Sequence, residues 1–216
     1  MMDLGSAHDA GARRLPHPDP SVRRSFEELA NNLLVLGEKP LRVAVTGPER
    51  GAGCSSVCLG ISAALAGMGR RAAVVDCNLR DPDLHQMLGE PNFLGLTTAL
   101  ESDRALENYG FEVLPGLLVI PTGPVPAAPS TLLESERFVE AVRGLGEGRD
   151  LVLLDAPVAG TLLESPMLAG GFDGVLLVVH ASRTSKNTAR EVTEDLLDAG
   201  VNLLGVVLNG SPAGTA

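Results

Sequence analysis

A glycine-rich turn at residues 47–56 is the part of the sequence best suited to chemistry, because it has the layout of a phosphate-binding loop. Its letters are GPERGAGCSS, and it lies between an apolar run at Leu41–Thr46 and a helix-like run at residues 55–68. In such loops the backbone N–H groups of the turn and of the helix N-terminus point at phosphate oxygens. A lysine before the Ser or Thr then reaches the β- and γ-phosphates. Cys54 occupies that position, so the sequence predicts a phosphate cradle without its lysine.

Three oxygen-bearing side chains could hold Mg²⁺ beside this turn. Ser55 stands where the metal-binding hydroxyl belongs, while Asp76 and Asp155 each end an apolar, strand-like run. Because the carboxyl ends of parallel strands border the ligand crevice of an open α/β sheet, we expect these carboxylates to lie near the loop and to serve as metal-binding or catalytic groups. The predicted nucleotide-binding residues are Gly51, Ala52, Gly53, Cys54, Ser55, Ser56 and, at the end of the last strand, Asn209.

Each of these features also has a purely structural interpretation. A glycine-rich turn without lysine can be a tight connection, and an aspartate at a strand end can cap the next loop. Cys54 can be a small buried thiol or, because a helix N-terminus lowers the pKa of a thiol, a reactive one. Asn209 can simply begin a turn.

The order of apolar runs predicts the elements that position these residues. The runs are dominated by Val, Leu and Ile without strict alternation, as in strands covered on both faces, and helical patterns separate them. Such alternation predicts an α/β fold with a mainly parallel sheet of about six to eight strands and helices on both faces. The predicted strands are Leu41–Thr46, Ala72–Asp76, 117–121, Leu151–Asp155, 175–180 and 203–208.

Helices and boundaries complete this outline. A helix should begin after the Asp19-Pro20-Ser21 start signal, and another should cover residues 131–145 after a proline-rich loop at 123–130. We expect a flexible tail at 1–20, a single domain at 21–209 and a short tail at 210–216.

Composition limits the partners and the compartment. The 216 residues include 44% apolar residues, enough for the core of one α/β domain. A formal net charge of −10 argues against nucleic acid or an anionic membrane as a direct partner. Three cysteines without metal-ligand spacing fit a reducing compartment, and no apolar run approaches the length of a membrane span. We therefore expect a cytoplasmic protein that meets a membrane only through a partner.

Six sequence blocks follow one another along the chain, at 51–55, 74–82, 88–96, 123–135, 150–157 and 205–209. In type and order they resemble the blocks of the bacterial tyrosine kinases (BY-kinases) of capsular and exopolysaccharide synthesis, a branch of the MinD/ParA-like P-loop ATPases. The resemblance covers roughly residues 21–209. The resemblance implies ATP or ADP with Mg²⁺ as cofactors, Ser55, Asp76 and Asp155 as residues that serve the metal, and Asn209 near the adenine.

Departures from the family pattern weaken the expected activity. Cys54 replaces the lysine, so the Walker A motif is degenerate, and Asn78 replaces the second acidic residue of the family's Asp-x-Asp-Leu-Arg-x-Pro motif. Of the family's three carboxylates only Asp76 and Asp155 remain. Family kinases phosphorylate a cluster of tyrosines near the C-terminus, whereas the one tyrosine here, Tyr109, lies in mid-chain.

We therefore expect a degenerate BY-kinase-like protein that acts as a regulator or adaptor of capsular or exopolysaccharide synthesis and export. Its ATP-dependent phosphoryl transfer should be weak or absent. The resemblance implies a membrane polysaccharide chain-length regulator (co-polymerase) or an active kinase paralogue as partner. Through that partner the protein would lie at the inner membrane. A homo-oligomer is a further option.

Two alternatives stay open. One is an active protein-tyrosine kinase in which Arg50 replaces the missing cation. The other is a MinD/ParA-like positioning ATPase, which is disfavoured because Glu49 and Cys54 occupy the positions of its two lysines.

Overall fold

The computed structural model describes residues 15, 19–37, 40–102, 104–125, 132–133, 135–164 and 171–210. Within these ranges seven strands form one sheet, and the α/β architecture expected from the sequence is confirmed. The strands are β1 (Leu41–Thr46), β2 (Ala72–Asp76), β3 (Phe111–Leu114), β4 (Leu117–Ile120), β5 (Leu151–Asp155), β6 (Gly174–His180) and β7 (Leu203–Asn209). Their order across the sheet is β3-β4-β2-β5-β1-β6-β7, and all neighbours are parallel except β3 and β4.

Helices cover both faces of the sheet and enclose two apolar cores. They are α1 (Pro20–Leu34), α2 (Cys54–Gly67), α3 (Leu84–Leu88), α4 (Leu96–Leu100), α5 (Glu136–Leu145), α6 (Ala159–Leu163) and α7 (Lys186–Asp198), with a 3₁₀ helix at Leu106–Tyr109. Every residue of β2 and of β5 is buried, which explains their unbroken apolar sequences. No helix in the described ranges is long and apolar enough to cross a membrane.

The first helix begins as its sequence predicts. The Asp19 carboxylate accepts a hydrogen bond of 2.8 Å from the backbone N–H of Ser21, and Pro20 occupies the first turn, where its missing N–H costs nothing. The helix then packs on α2 at a place without a side chain, since a Cβ on Gly60 would come within 2.4 Å of the Phe26 ring. This contact fixes α1 on the helix that follows the glycine-rich turn.

The strand order brings the predicted site residues to one edge of the sheet. Strand β1, which leads into the glycine-rich turn, lies between β5 and β6. Strand β2 pairs with the other side of β5, and this register places Asp76 directly beside Asp155. The carboxyl ends of β1, β2, β5 and β6 therefore surround the turn, as expected for a ligand crevice.

Several element boundaries differ from the sequence-based expectation. Strand β3 was not predicted, because its four residues form a short edge strand that turns back antiparallel onto β4. Helix α2 begins at Cys54, one residue earlier than expected, and α5 covers Glu136–Leu145, the C-terminal part of the helix predicted at 131–145. Residues 126–130 of the proline-rich loop, most of the predicted tail at 1–20 and residues 211–216 lie outside the described ranges.

Candidate functional site

The glycine-rich turn adopts a conformation in which backbone amides converge on one point. Gly51 and Gly53 have φ angles of 79° and 97°, in the left-handed region that glycine adopts without strain. Helix α2 starts immediately afterwards, and its first intrahelical bond joins the N–H of Val57 to the carbonyl of Gly53 at 2.9 Å. Among the described residues the backbone N–H groups of Cys54 and Ser55 donate to no other residue, and the N–H of Cys54 interacts with its own thiol. Such N–H groups at a helix N-terminus form a cradle suited to phosphate.

The turn is held from the side by the end of the last strand. Asn209 donates through Nδ2 to the carbonyl oxygen of Ala52 at 2.9 Å. Gly53 makes this contact geometrically feasible, because a Cβ there would lie 2.0 Å from the Asn209 Nδ2 atom. Sequence reasoning placed Asn209 beside the nucleotide site, and the structure places it against the turn itself.

Replacing Gly53 by alanine should therefore disrupt the turn. We expect a loss of about 1–2 kcal/mol in the free energy of unfolding, from positive-φ strain and from the collision with Asn209. Gly67→Ala is the matched control, because nothing lies within 4 Å of its added Cβ and the residue is helical. Chemical denaturation should show the control unchanged or stabilised by about 0.5–1 kcal/mol. Equal stabilities of the two variants would contradict this interpretation of the turn.

Cys54 occupies the floor of the cradle as a neutral thiol. A Cβ on Gly47 would lie 3.3 Å from Cys54 Sγ, so the thiol packs against the start of the turn, and the residue is half-buried. Burial, reinforced by the negative charge of Asp155, raises the pKa of Cys54 to about 12. The interpretation of Cys54 as a reactive, low-pKa thiol is therefore wrong, because desolvation outweighs the helix N-terminus. The lysine position carries no positive charge.

Asp76 does cap the following loop, as its structural interpretation proposed. Its carboxylate accepts hydrogen bonds from the backbone N–H groups of Asn78 (3.1 Å), Asp83 (3.2 Å) and Leu84 (3.3 Å). Burial nevertheless raises its pKa to about 7, against these hydrogen bonds. Three backbone amides thus hold this carboxylate to the loop after β2.

Asp155 is the second buried carboxylate at this edge, with 2% of its surface exposed. Burial and then the charge of Asp76 raise its pKa well above the ordinary value, while a hydrogen bond from the Ser55 side chain acts in the opposite direction. No cationic side chain is among the groups that shift the pKa of either aspartate. A pair of buried carboxylates without a cation is costly in free energy and is a suitable place for a metal ion.

The residues present fit Mg²⁺ only in combination with a phosphate ligand. Within the described ranges no group of three or more His, Cys, Asp or Glu side chains could hold a metal ion alone. Mg²⁺ usually takes one or two protein oxygens together with phosphate oxygens and water. Asp155 and Ser55 could supply such protein ligands, with Asp76 as a neighbour.

The cleft above the cradle is small. It encloses about 110 Å³ and is lined by the glycine-rich turn, Asp155 and the loop after β2. Pockets that bury a small molecule enclose about 300–1,000 Å³. The cleft therefore suits phosphate groups, whereas a nucleoside bound there would lie largely outside it.

Arg50, which the alternative of an active kinase invokes in place of the lysine, forms an ion pair elsewhere. Its Nη2 lies 2.7 Å from Asp81 Oδ2 across the mouth of the cleft, and both side chains are exposed. Exposed ion pairs contribute roughly 0–1 kcal/mol, so this one imposes little restraint. In this arrangement Arg50 points at a carboxylate rather than into the cradle.

Sequence reasoning missed the loop that follows β6. Thr184 Oγ1 donates to Glu49 Oε1 at 2.8 Å, and Arg183 Nη1 donates to the carbonyl of Gly51 at 3.4 Å. Nothing in the local sequence marks these residues. Their contact with the turn follows from the pairing of β1 with β6, and that pairing is known only from the strand order of the sheet.

Comparisons with known proteins connect this site to a family. The chain is 35% identical to a putative tyrosine-protein kinase EpsB of Ralstonia nicotianae over 209 residues, which cover 92% of this chain and 26% of EpsB. The chain thus spans about a quarter of the length of that relative. No family model matches the chain.

Solved structures give the same assignment. The kinase domain of VpsO superposes with a TM-score of 0.78 at 26% identity, over 89% of this chain and 95% of that domain. The septum site-determining protein MinD of Pyrococcus horikoshii, solved with Mg-ADP, shares the fold with a TM-score of 0.62 at 24% identity over 78% of this chain and 69% of MinD. The ordered motifs, the sheet and these relatives agree: the chain belongs to the bacterial tyrosine kinase (BY-kinase) family.

Proposed function

We propose that this protein is a BY-kinase family member that has lost efficient phosphoryl transfer and acts as a regulator or adaptor. Its cradle keeps the backbone donors of a P-loop and binds ATP or ADP with Mg²⁺ weakly. Its expected setting is capsular or exopolysaccharide synthesis, beside a membrane chain-length regulator or an active kinase paralogue. As in the family at large, self-association is part of this proposal.

The observation that carries the proposal is the neutral thiol of Cys54 in the lysine position. Phosphoryl transfer depends on positioning and on neutralising charge that develops on the transferred group. The loop supplies partial positive charge from its amides, but Cys54 supplies none, because its pKa is raised to about 12. The missing charge weakens the transition state more than the ground state, so catalysis should suffer more than binding.

Two further observations support reduced turnover. The family's second acidic residue is Asn78 here, and its Nδ2 donates to the carbonyl of Asp81 at 2.9 Å within the loop. Asp76, which the family uses beside the metal, is bound to three backbone amides. Both groups stabilise the loop after β2 and leave Asp155 as the carboxylate nearest to Ser55.

The names of the relatives favour one competing function, an active tyrosine kinase. The EpsB and VpsO proteins carry kinase in their names, and the cradle, Ser55 and Asp155 are all in place. In that case the enzyme must obtain the missing positive charge from another residue or from the metal alone.

Ligand-dependent stability separates the two functions. A site with a Kd near 1 mM should stabilise the protein by only about 1 kcal/mol at about 5 mM Mg-ATP, whereas a Kd near 10 µM would give about 4 kcal/mol. We expect the smaller value from thermal or chemical unfolding with Mg²⁺ present throughout. Stabilisation near the larger value, with tyrosine phosphorylation of an added peptide, would contradict the proposal.

A further inference from the structure

The loop between β6 and α7 places the positively charged side chain of Arg183 beside the cradle. Arg183 lies three residues beyond the end of β6, and its Nη1 lies 3.4 Å from the carbonyl oxygen of Gly51. The packing is close, since a Cβ on Gly51 would be 2.9 Å from that nitrogen. The neighbouring Thr184 hydroxyl is bonded to Glu49, so the loop is fixed to the turn at two adjacent positions.

The charge of Arg183 is not used by the protein itself. In the described part of the chain Arg183 forms no ion pair, whereas Arg50 pairs with Asp81 at 2.7 Å. The only hydrogen bond of its guanidinium among the described residues is the long one to Gly51, which occupies one of the five guanidinium N–H groups. The side chain is exposed, so the other donors are open to a ligand.

We propose that Arg183 binds the phosphate groups of a nucleotide held in the cradle and partly replaces the positive charge that Cys54 does not supply. The inference rests on the proposed function, since it requires a polyphosphate on the turn. A guanidinium that contacts the turn lies well within one Debye length, about 8 Å, of a phosphate bound by the amides of the same turn. The planar, forked N–H donors of its guanidinium match the arrangement of phosphate oxygens, and the group carries a positive charge.

This position differs from that of a P-loop lysine in a way that fits weak catalysis. The lysine rises from the helix N-terminus beneath the phosphates, whereas Arg183 approaches from the side, over Gly51. A guanidinium in this lateral position would attract the phosphates of a nucleotide. It would not occupy the place from which the P-loop lysine contacts the transferred phosphoryl group. Arg183 is therefore assigned to binding and is not a catalytic residue.

The test is a comparison of ADP affinities by calorimetry in four proteins: wild type, Arg183→Gln, Cys54→Lys and the double variant. We expect Arg183→Gln to weaken ADP binding about tenfold in the wild type, and by less in the Cys54→Lys background, where a second cation serves the same phosphates. Arg183→Lys should recover part of the loss. Arg190→Gln is the matched control, since Arg190 is an exposed arginine on the adjacent helix that pairs with Glu194.

Two additional readouts distinguish phosphate binding from support of the turn. Raising NaCl from about 50 to about 500 mM should weaken ADP binding less in Arg183→Gln than in the wild type. Without nucleotide, the Arg183→Gln and Arg190→Gln proteins should unfold at the same midpoint. A lower unfolding midpoint for Arg183→Gln, combined with an unchanged salt dependence of ADP binding, would overturn the assignment. Arg183 would then support the conformation of the turn rather than bind phosphate.

The remaining outcomes separate this inference from the proposed function. Equal ADP affinities of Arg183→Gln and Arg190→Gln would overturn the role of Arg183 and leave the proposed function intact. If the wild type bound no ADP at about 5 mM, the role of Arg183 would also be overturned, because there would be no bound phosphate for its guanidinium to contact. Conversely, a tenfold loss in Arg183→Gln combined with no gain in Cys54→Lys would support Arg183 and contradict the explanation based on Cys54.

Discussion

Replacing Cys54 by lysine is expected to tighten ADP binding by about thirtyfold, or about 2 kcal/mol. Two unit charges about 4 Å apart interact by about 4 kcal/mol at an effective dielectric near 20, and desolvation of the ammonium removes roughly half of that gain. Asp155 would favour the charged form of the new lysine, because its carboxylate already acts on the thiol at this position. Calorimetry with Mg-ADP measures the change directly.

The control for this prediction is Cys54→Met. Methionine has nearly the length of lysine and no charge, so it reports the effect of filling the space beneath the turn. We expect its ADP affinity to lie within about threefold of the wild type. Equal gains in the Lys and Met variants would mean that packing rather than charge limits binding, and no gain in the Lys variant would contradict the electrostatic explanation.

The second large effect concerns the buried carboxylate pair and pH. Burial raises the pKa of Asp76 from 3.8 to about 7, so the folded state binds more protons than the unfolded state between these values. The free energy of unfolding should then decrease as pH rises through this window, by about 4 kcal/mol from this group alone. Below pH 3.8 the contribution is fully present, because both states are protonated. The measurement is urea denaturation between about pH 4 and 8, without divalent metal.

The variant Asp155→Asn tests what the second buried carboxylate adds to the pH dependence of stability. Asparagine resembles the protonated acid, so the variant should match the wild type near pH 4 and exceed it by about 2–3 kcal/mol near pH 8, where the buried charge is lost. Asp198→Asn is the control, because Asp198 is exposed at the end of α7. A wild type whose stability does not change across this range, or an Asp155→Asn variant destabilised at high pH, would contradict the environment described for the pair.

The sequence was sufficient to locate the strands that carry the site. Strands β1, β2 and β5 have the bounds that their apolar runs predict, because each is buried on both faces and ends at a polar residue. The positions of Asp76 and Asp155 at strand ends followed from the same pattern. Strand β3 escaped prediction because four residues at a sheet edge carry too little apolar periodicity, and its antiparallel pairing depends on β4.

The properties of the site depend on contacts that are distant in sequence. The charge of Asp76 raises the pKa of Asp155 only because β2 and β5 are neighbours, although the two residues are 79 positions apart in the chain. The pKa of Cys54 depends on burial beneath the turn, which outweighs the helix N-terminus that local reasoning considers first. Arg183 reaches Gly51 across 132 positions, through the pairing of β1 with β6. Local motifs therefore predicted which residues assemble, and the strand order determined their charge states.

Phosphoryl transfer from radiolabelled ATP, with Mg²⁺ and a tyrosine-containing copolymer, tests the central claim most directly. Purified wild-type protein should transfer phosphate no faster than the Asp155→Asn variant, which lacks the carboxylate nearest to Ser55. Sustained transfer to tyrosine by the wild type, abolished in Asp155→Asn, would show that the cradle works without its lysine and would contradict the proposed loss of activity.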